Sequence, residues 1–143
     1  GGGAGGACVC LGCCRLVGGG IFDFGVLCQV AVVRPACAAA NYCECAEAAA
    51  DERAKEVAKV ASHTRPDGTN CFTVLKEYGV SDTATGENAA WGETTPEKVV
   101  ADWMASEGHR VNIMDPAAKY MCLGYNYDAN SQWGHNWIQI FAK

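Results

Sequence analysis

From residue 46 onward, apolar and polar positions recur with recognisable periods. Ala50, Ala54, Val57, Ala58 and Ala61 recur at helical spacings, with 50/54, 54/57, 54/58, 57/61 and 58/61 three or four apart, in a segment otherwise rich in Glu, Lys and Arg. This is the buried stripe of an amphipathic helix over 46–61. The helix is expected to end at Ser62–His63, because Pro66 disfavours helical geometry at Arg65 and Asp67–Gly68 is a turn pair. Residues 71–78 form a second, short helix closed by Gly79. Thr94-Thr95-Pro96-Glu97 opens a third, since Pro fits the first helical position and Glu favours the positive end of the helix dipole. Its apolar stripe is Val99, Val100, Trp103 and Met104. Two strands follow, around 119–127 and 133–142, joined by a turn through Asp128, Asn130 and Ser131. The expected class is α+β, with helices at roughly 46–62 and 95–106 lying against an antiparallel sheet that includes both C-terminal strands.

The first third of the chain has a different character. Residues 1–45 hold only four charged side chains (Arg15, Asp23, Arg34 and Glu44), and eight of the ten cysteines (Cys8, Cys10, Cys13, Cys14, Cys28, Cys37, Cys43 and Cys45). So many cysteines in a small chain point to an oxidising compartment and a disulfide framework whose pairing the count does not give. No basic start followed by an apolar stretch and a small-residue cleavage site is present, so the expectation is a mature, secreted form whose export signal has been removed. A thiolate metal site at Cys8–Cys14 is the lesser alternative, because structural zinc uses paired C-x-x-C ligands with a second pair or His downstream.

A length of 143 residues fits one domain. No apolar run reaches the roughly 18 residues of a membrane-spanning helix. The net charge of −5 argues against a general phosphate-binding surface, so nucleic acid is not an expected partner.

Four strings then occur in order: Ser62-His63-Thr64-Arg65-Pro66-Asp67-Gly68; Gly86-Glu87-Asn88-Ala89-Ala90; Trp103-Met104-Ala105-Ser106-Glu107-Gly108-His109-Arg110 with Asn112-Ile113-Met114; and Trp137-Ile138-Gln139-Ile140-Phe141. On these strings the chain resembles a bacterial member of the CAP superfamily. Also called the SCP domain, it includes cysteine-rich secretory proteins, antigen 5 and pathogenesis-related 1 proteins. Upstream the likeness thins: Val30-Ala31-Val32-Val33-Arg34 keeps the Arg of the family's first helix but has Ala31 where Asn is usual. Residues 23–143 are therefore expected to form the CAP domain, clearest over 46–143, beside a Gly/Ala/Cys-rich segment over 1–22.

The resemblance implies a three-layer α-β-α sandwich with a central antiparallel sheet and one open cleft lined by two histidines and two glutamates. Matching residue by residue places His63, Glu87 and His109 on three of those positions. The fourth falls on Ser106, a departure common in bacterial members that puts any mechanism needing paired glutamates in doubt. Glu107 is adjacent, but one residue along a helix end it should point about 100° away.

Two neutral imidazoles and a carboxylate can bind a divalent ion, zinc or magnesium, with open positions for water, which the ion would acidify. Without metal, Glu87 can hold a histidine in one tautomer and leave it as a general base. In the purely structural alternative, Glu87 accepts hydrogen bonds from both imidazoles, or from backbone, and ties three loops together. Ser106 and His109, three apart, have the spacing of a nucleophile and base but no identified acid or oxyanion donors.

Other residues lean toward structure. Trp103 and Trp137 are expected in the core, and Trp91 near the cleft. Arg65 and Asp67 are expected to pair with each other or cap backbone groups. His135 is expected at an exposed turn or strand end. A Cys71–Cys122 bridge stays open, since spatial separation is not given by sequence.

Three functions compete on this reading. One is a secreted, non-enzymatic module binding a ligand or an extracellular or cell-surface partner. Another is a metal-assisted, peptidase-like hydrolase using His63, Glu87 and His109. The third is a structural subunit of an extracellular assembly, self-associating through residues 1–45.

Overall fold

The computed structural model describes residues 41–42 and 44–143, with side chains from residue 46 onward. The Gly/Ala/Cys-rich segment, the Cys8–Cys14 cluster and the Val30–Arg34 string lie outside the described residues.

Strand β1 (Asn41–Tyr42) leads into helix α1 (Glu44–Lys59). The helix runs two residues earlier at each end than its periodicity predicts, and Ala61, expected on the stripe, is exposed beyond the helix. Ala46, Ala49, Ala50, Ala54, Val57 and Ala58 are all buried. These small side chains let the helix backbone lie directly on the sheet. Opposite them, a Cβ on Gly124 would run into the Ala50 carbonyl. A loop with Gly68 at φ +85° and Arg65 N–H donating to the Thr69 carbonyl at 2.9 Å forms the predicted turn. Helix α2 (Thr73–Glu77) follows and is closed by Gly79 at φ +73°.

Strand β2 (Ala84–Trp91) then enters the sheet. Helix α3 (Pro96–Ala105) starts as predicted, with Pro96 at its first position and the Thr95 hydroxyl accepting from Lys98 N–H at 3.3 Å. A separate helix α4 (Glu107–Ile113) was not expected: Ser106, at φ −94° and ψ 120°, is extended and breaks the chain between the two. Glu107 thus begins a new helix instead of continuing an old one. Strands β3 (Tyr120–Asp128) and β4 (Gly134–Ala142) match their predicted spans within one residue.

The sheet order is β1-β3-β4-β2. The three long strands are antiparallel, and the two-residue β1 pairs parallel with β3. The architecture is α+β in three layers. On one face α1 and α2 close over Ile138, Ile140, Cys122 and Ala89. On the other, Val99 and Trp103 of α3 and Ile113 of α4 pack on Trp137 and Phe141. Trp103 and Trp137 are core residues, 2% and 4% exposed.

Strand β2 lies at the sheet edge. Its outward carbonyls are covered by side-chain donors: Asn112 Nδ2 donates to Glu87 O at 3.3 Å and Trp103 Nε1 to Ala89 O at 3.2 Å. Such capping keeps the edge from pairing with another strand and ties the α3–α4 layer to the strand that carries Glu87.

Candidate functional site around Glu87

Alternation along β2 sends Glu87 to the α1 face and its neighbour Asn88 to the α4 face. The Glu87 side chain, 1% exposed, meets Arg53 of α1, whose side chain is wholly buried. Arg53 Nε donates to Glu87 Oε2 at 3.0 Å and Nη2 to Oε1 at 3.1 Å, the two-pronged geometry that suits a carboxylate. The same guanidinium donates from Nη1 to Glu56 Oε2 at 2.7 Å and from Nη2 to the Ser62 carbonyl at 3.1 Å. Burial disfavours the Arg53 cation, but the bonds to Glu87 and Glu56 outweigh it and hold its pKa above the ordinary value.

A second arginine extends the chain of charges. Arg65 Nη2 donates to Glu56 Oε1 at 2.7 Å, and Nη1 donates to Glu77 Oε1 at 2.6 Å and Thr73 Oγ1 at 2.9 Å. Its pKa is raised by the bonds to Glu77 and Glu56. Burial would raise Glu56, yet the bonds from Arg65 and Arg53 hold it below the usual carboxylate range. Of the two alternatives expected here, backbone capping holds for Asp67, and its pairing with Arg65 is corrected. Two glutamates outcompete it, and Asp67 accepts from Thr69 N–H at 2.9 Å within its own turn.

Arg53 and Arg65 together pin the start and the body of the 62–70 loop, and so they fix His63. His63 Nδ1 lies 2.8 Å from Glu87 Oε1 while 59% of its side chain stays exposed. Because an ionised carboxylate only accepts, Nδ1 is the donor and Nε2 is left toward solvent.

His109 arrives from the opposite layer, on α4, with its backbone carbonyl accepting from Asn88 Nδ2 at 3.1 Å. It is half-buried. Burial first, and then the neighbouring charge of His63, lower its pKa from the ordinary imidazole value. His63 and Glu87 are thus joined directly, and His109 is near enough to His63 for the two imidazoles to interact electrostatically. Among the described residues no hydrogen bond joins Glu87 to His109, so the alternative in which Glu87 ties both imidazoles is corrected to one imidazole and one guanidinium.

Ser106 sits half-buried in the break between α3 and α4, and its backbone carbonyl accepts from Arg110 N–H at 2.8 Å. No hydrogen bond connects its hydroxyl to His109 among the described residues. Glu107 is exposed.

Two members of this cluster escaped the sequence reading. Arg53 falls three residues after Ala50 and four before Val57, on the apolar stripe itself, and a charged residue there signals a buried partner. Cys71 is buried, and its sulfur, a nitrogen of His63 and an oxygen of Glu87 all lie within 4.8 Å of one another. Burial, aided by the Glu87 charge, pushes the Cys71 thiol up to about 12. Cys122 is also buried and free, with its thiol toward the Ile140 carbonyl at 3.8 Å, so Cys71 and Cys122 do not bridge.

Away from the cleft, His135 is half-buried, not exposed. Its Nδ1 lies 2.8 Å from Tyr125 Oη, and its ring packs 4.9 Å from that of Tyr127. Trp91 packs on the α1 face, donating from Nε1 to the Val57 carbonyl at 3.1 Å, with its ring centroid 5.8 Å from that of Trp133 and the two planes tilted by 47°.

Comparison with known proteins places these observations. The sequence model of CAP, the Cysteine-rich secretory protein family, matches residues 36–141. The protein YkwD of Bacillus subtilis (strain 168) is 41% identical over 76 residues, which are 53% of this chain and 29% of that relative. The chain thus spans less than a third of the relative's length. Among solved structures, an outer surface protein of Borrelia burgdorferi superposes with a TM-score of 0.69 at 21% identity, covering 85% of this chain and 92% of the other. An extracellular protein containing an SCP domain from Bacillus anthracis str. Ames gives 0.64 at 20% identity, over 85% and 38% of the two chains. A cysteine-rich secretory protein from Staphylococcus aureus gives 0.59 at 14% identity, over 82% and 37%.

Proposed function

Because this chain belongs to the CAP family of cysteine-rich secretory proteins, we propose that it is an extracellular, non-enzymatic module that binds a ligand or surface partner at the cleft around His63. An extracellular setting is supported by the names of its structural relatives, two of which are an extracellular and an outer surface protein. No helix among the described residues is long and apolar enough to cross a membrane.

The observation that carries the non-enzymatic reading is the occupancy of Glu87. Its two oxygens already accept three hydrogen bonds, from Arg53 Nε, Arg53 Nη2 and His63 Nδ1. A carboxylate paired with a guanidinium in this way is a poor general base. The second carboxylate that a water-activating site would use is replaced by Ser106, at a helix break.

Two imidazoles and a carboxylate suit a divalent ion by their chemistry, although His109 falls outside the group of donor atoms that lie within 4.8 Å of one another around His63 and Glu87. Glu87 would then orient His63 from behind, as carboxylates do for ligating histidines, or coordinate by giving up an arginine bond. Imidazole donors suit zinc better than magnesium. Such an ion would supply Lewis acidity; this chain's own Glu87 and Asn88 hold His63 and the His109 backbone in place.

A hydrolase is the second reading, and the His63–Glu87 pair is what favours it. A carboxylate that fixes the Nδ1–H tautomer leaves Nε2 able to take a proton from water. The discriminating experiment incubates the full chain with zinc or magnesium and a broad peptide and ester library, beside a His63→Ala, His109→Ala double variant. The expected result is no turnover above that of the double variant. Turnover lost in a folded double variant would establish the hydrolase instead.

A further inference from the structure

Cys71 stands within reach of two of the cleft's donors yet has no part in the proposed binding role. Its sulfur, a ring nitrogen of His63 and an oxygen of Glu87 come from three separate elements: the loop after α1, the turn before α2 and strand β2. All three atoms fall within 4.8 Å of one another. Donor atoms around a tetrahedral zinc-class ion, bound at about 2.0–2.3 Å, sit roughly 3.3–3.7 Å apart. His63, whose side chain is more than half exposed, is the ligand with room to rotate and close the difference.

We infer that Cys71 is a protein ligand of this cleft, joining His63 and Glu87 in a site for a thiophilic divalent ion of the zinc class. The inference rests on the proposal that the cleft takes a cation, and it adds which ion and through which atom.

Charge favours the set. A divalent ion is neutralised by one thiolate and one carboxylate, with the His63 imidazole neutral. Arg53 keeps its bonds to Glu56 and Ser62 while it yields one oxygen of Glu87. Binding forms a metal–sulfur bond and breaks the S–H bond, whose proton leaves to solvent, while the His63 ring proton shifts to the nitrogen that does not face the ion, so uptake is linked to pH. Magnesium, which demands oxygen ligands and keeps its waters, is excluded by the sulfur and nitrogen donors.

The test titrates cobalt(II), a spectroscopic substitute for zinc, into the full chain and into Cys71→Ser, His63→Ala, His109→Ala and Cys122→Ser variants. The eight cysteines of residues 1–45 are common to all, so differences from the parent spectrum isolate the cleft. Near-ultraviolet thiolate-to-cobalt absorption is expected in the parent. One and the same portion should disappear in Cys71→Ser and in His63→Ala, and persist in Cys122→Ser. Cobalt affinity at the cleft should fall at least about tenfold in Cys71→Ser. Circular dichroism checks folding, and Cys71→Ala replaces Cys71→Ser if the serine variant does not fold. A Cys71→Ser spectrum that superimposes on the parent would overturn the inference. If His63→Ala and His109→Ala then still weaken cobalt binding, the imidazole pair survives without the sulfur. If no variant changes binding, both fail.

Discussion

Arg53 is the residue on which the cleft's electrostatics turn. Its buried guanidinium serves two glutamates and a carbonyl. Replacing it with methionine keeps volume but leaves Glu56 and Glu87 short of a partner, and breaking such a buried pair costs about 3–5 kcal/mol. Urea unfolding of Arg53→Met should show a loss of that size, with His63 also released. Glu56 gives a pH signature. Because arginine contacts hold it below its unfolded value of 4.5, its contribution is fully present above that value and is lost as pH falls through the lower folded value. Stability measured down the acid limb should therefore fall less steeply in Glu56→Gln than in the parent. The apolar spacing that predicts α1 also carried the sign of Arg53, as a charge on the stripe. Cys71 carried no comparable sign, because one buried thiol reads like any small apolar residue.

At the scale of elements, two glycines make opposite demands. Gly124 faces the α1 backbone, and a Cβ there would overlap the Ala50 carbonyl, which cannot rotate away. Gly124→Ala should cost about 1–3 kcal/mol or more by forcing helix and strand apart. Gly108, inside α4, has nothing within 4 Å of where a Cβ would sit. Gly108→Ala should stabilise by roughly 0.5–1 kcal/mol through helix propensity and unfolded-state entropy. Thermal unfolding of both variants reads the contrast directly. The two C-terminal strands were legible because alternation and a turn bracket them. Strand β2 was not: Gly86, Glu87, Asn88 and Ala89 are all buried, so an edge strand covered on both faces shows no alternation, and its two polar residues look like loop. The end of α3 at Ser106 was legible, but α4 was not, because the polar Glu107-Gly108-His109-Arg110 run that opens it shows no apolar stripe.

For the whole molecule, the candidate site draws its residues from two helical layers and one edge of the sheet. His63 follows α1, Glu87 lies on the edge strand and His109 belongs to the opposite layer. No local periodicity brings such residues together; only the order of the four family strings made His63, Glu87 and His109 legible as a set. Their hydrogen-bond partners, which decide what Glu87 can do, depend on side-chain packing that the strings do not contain. The layered placement has a pH consequence. Burial, then His63, lower the His109 pKa below 6.5, so on acidification the unfolded chain takes up this proton before the folded one. Stability should fall as pH drops through 6.5, and this loss should stop below the folded value. In His109→Gln that step should vanish from a plot of unfolding free energy against pH.

A Glu87 committed to Arg53 and His63 cannot also activate water, and the His63 tautomer reports that commitment directly. Long-range proton–nitrogen NMR on the metal-free full chain, at a pH where the imidazoles are neutral, should show His63 protonated at Nδ1, reverting to a solution-like mixture in Glu87→Ala. Protonation of His63 at Nε2 in the parent, with Nδ1 bare, would contradict the hydrogen bond to Glu87 on which this account of the site rests.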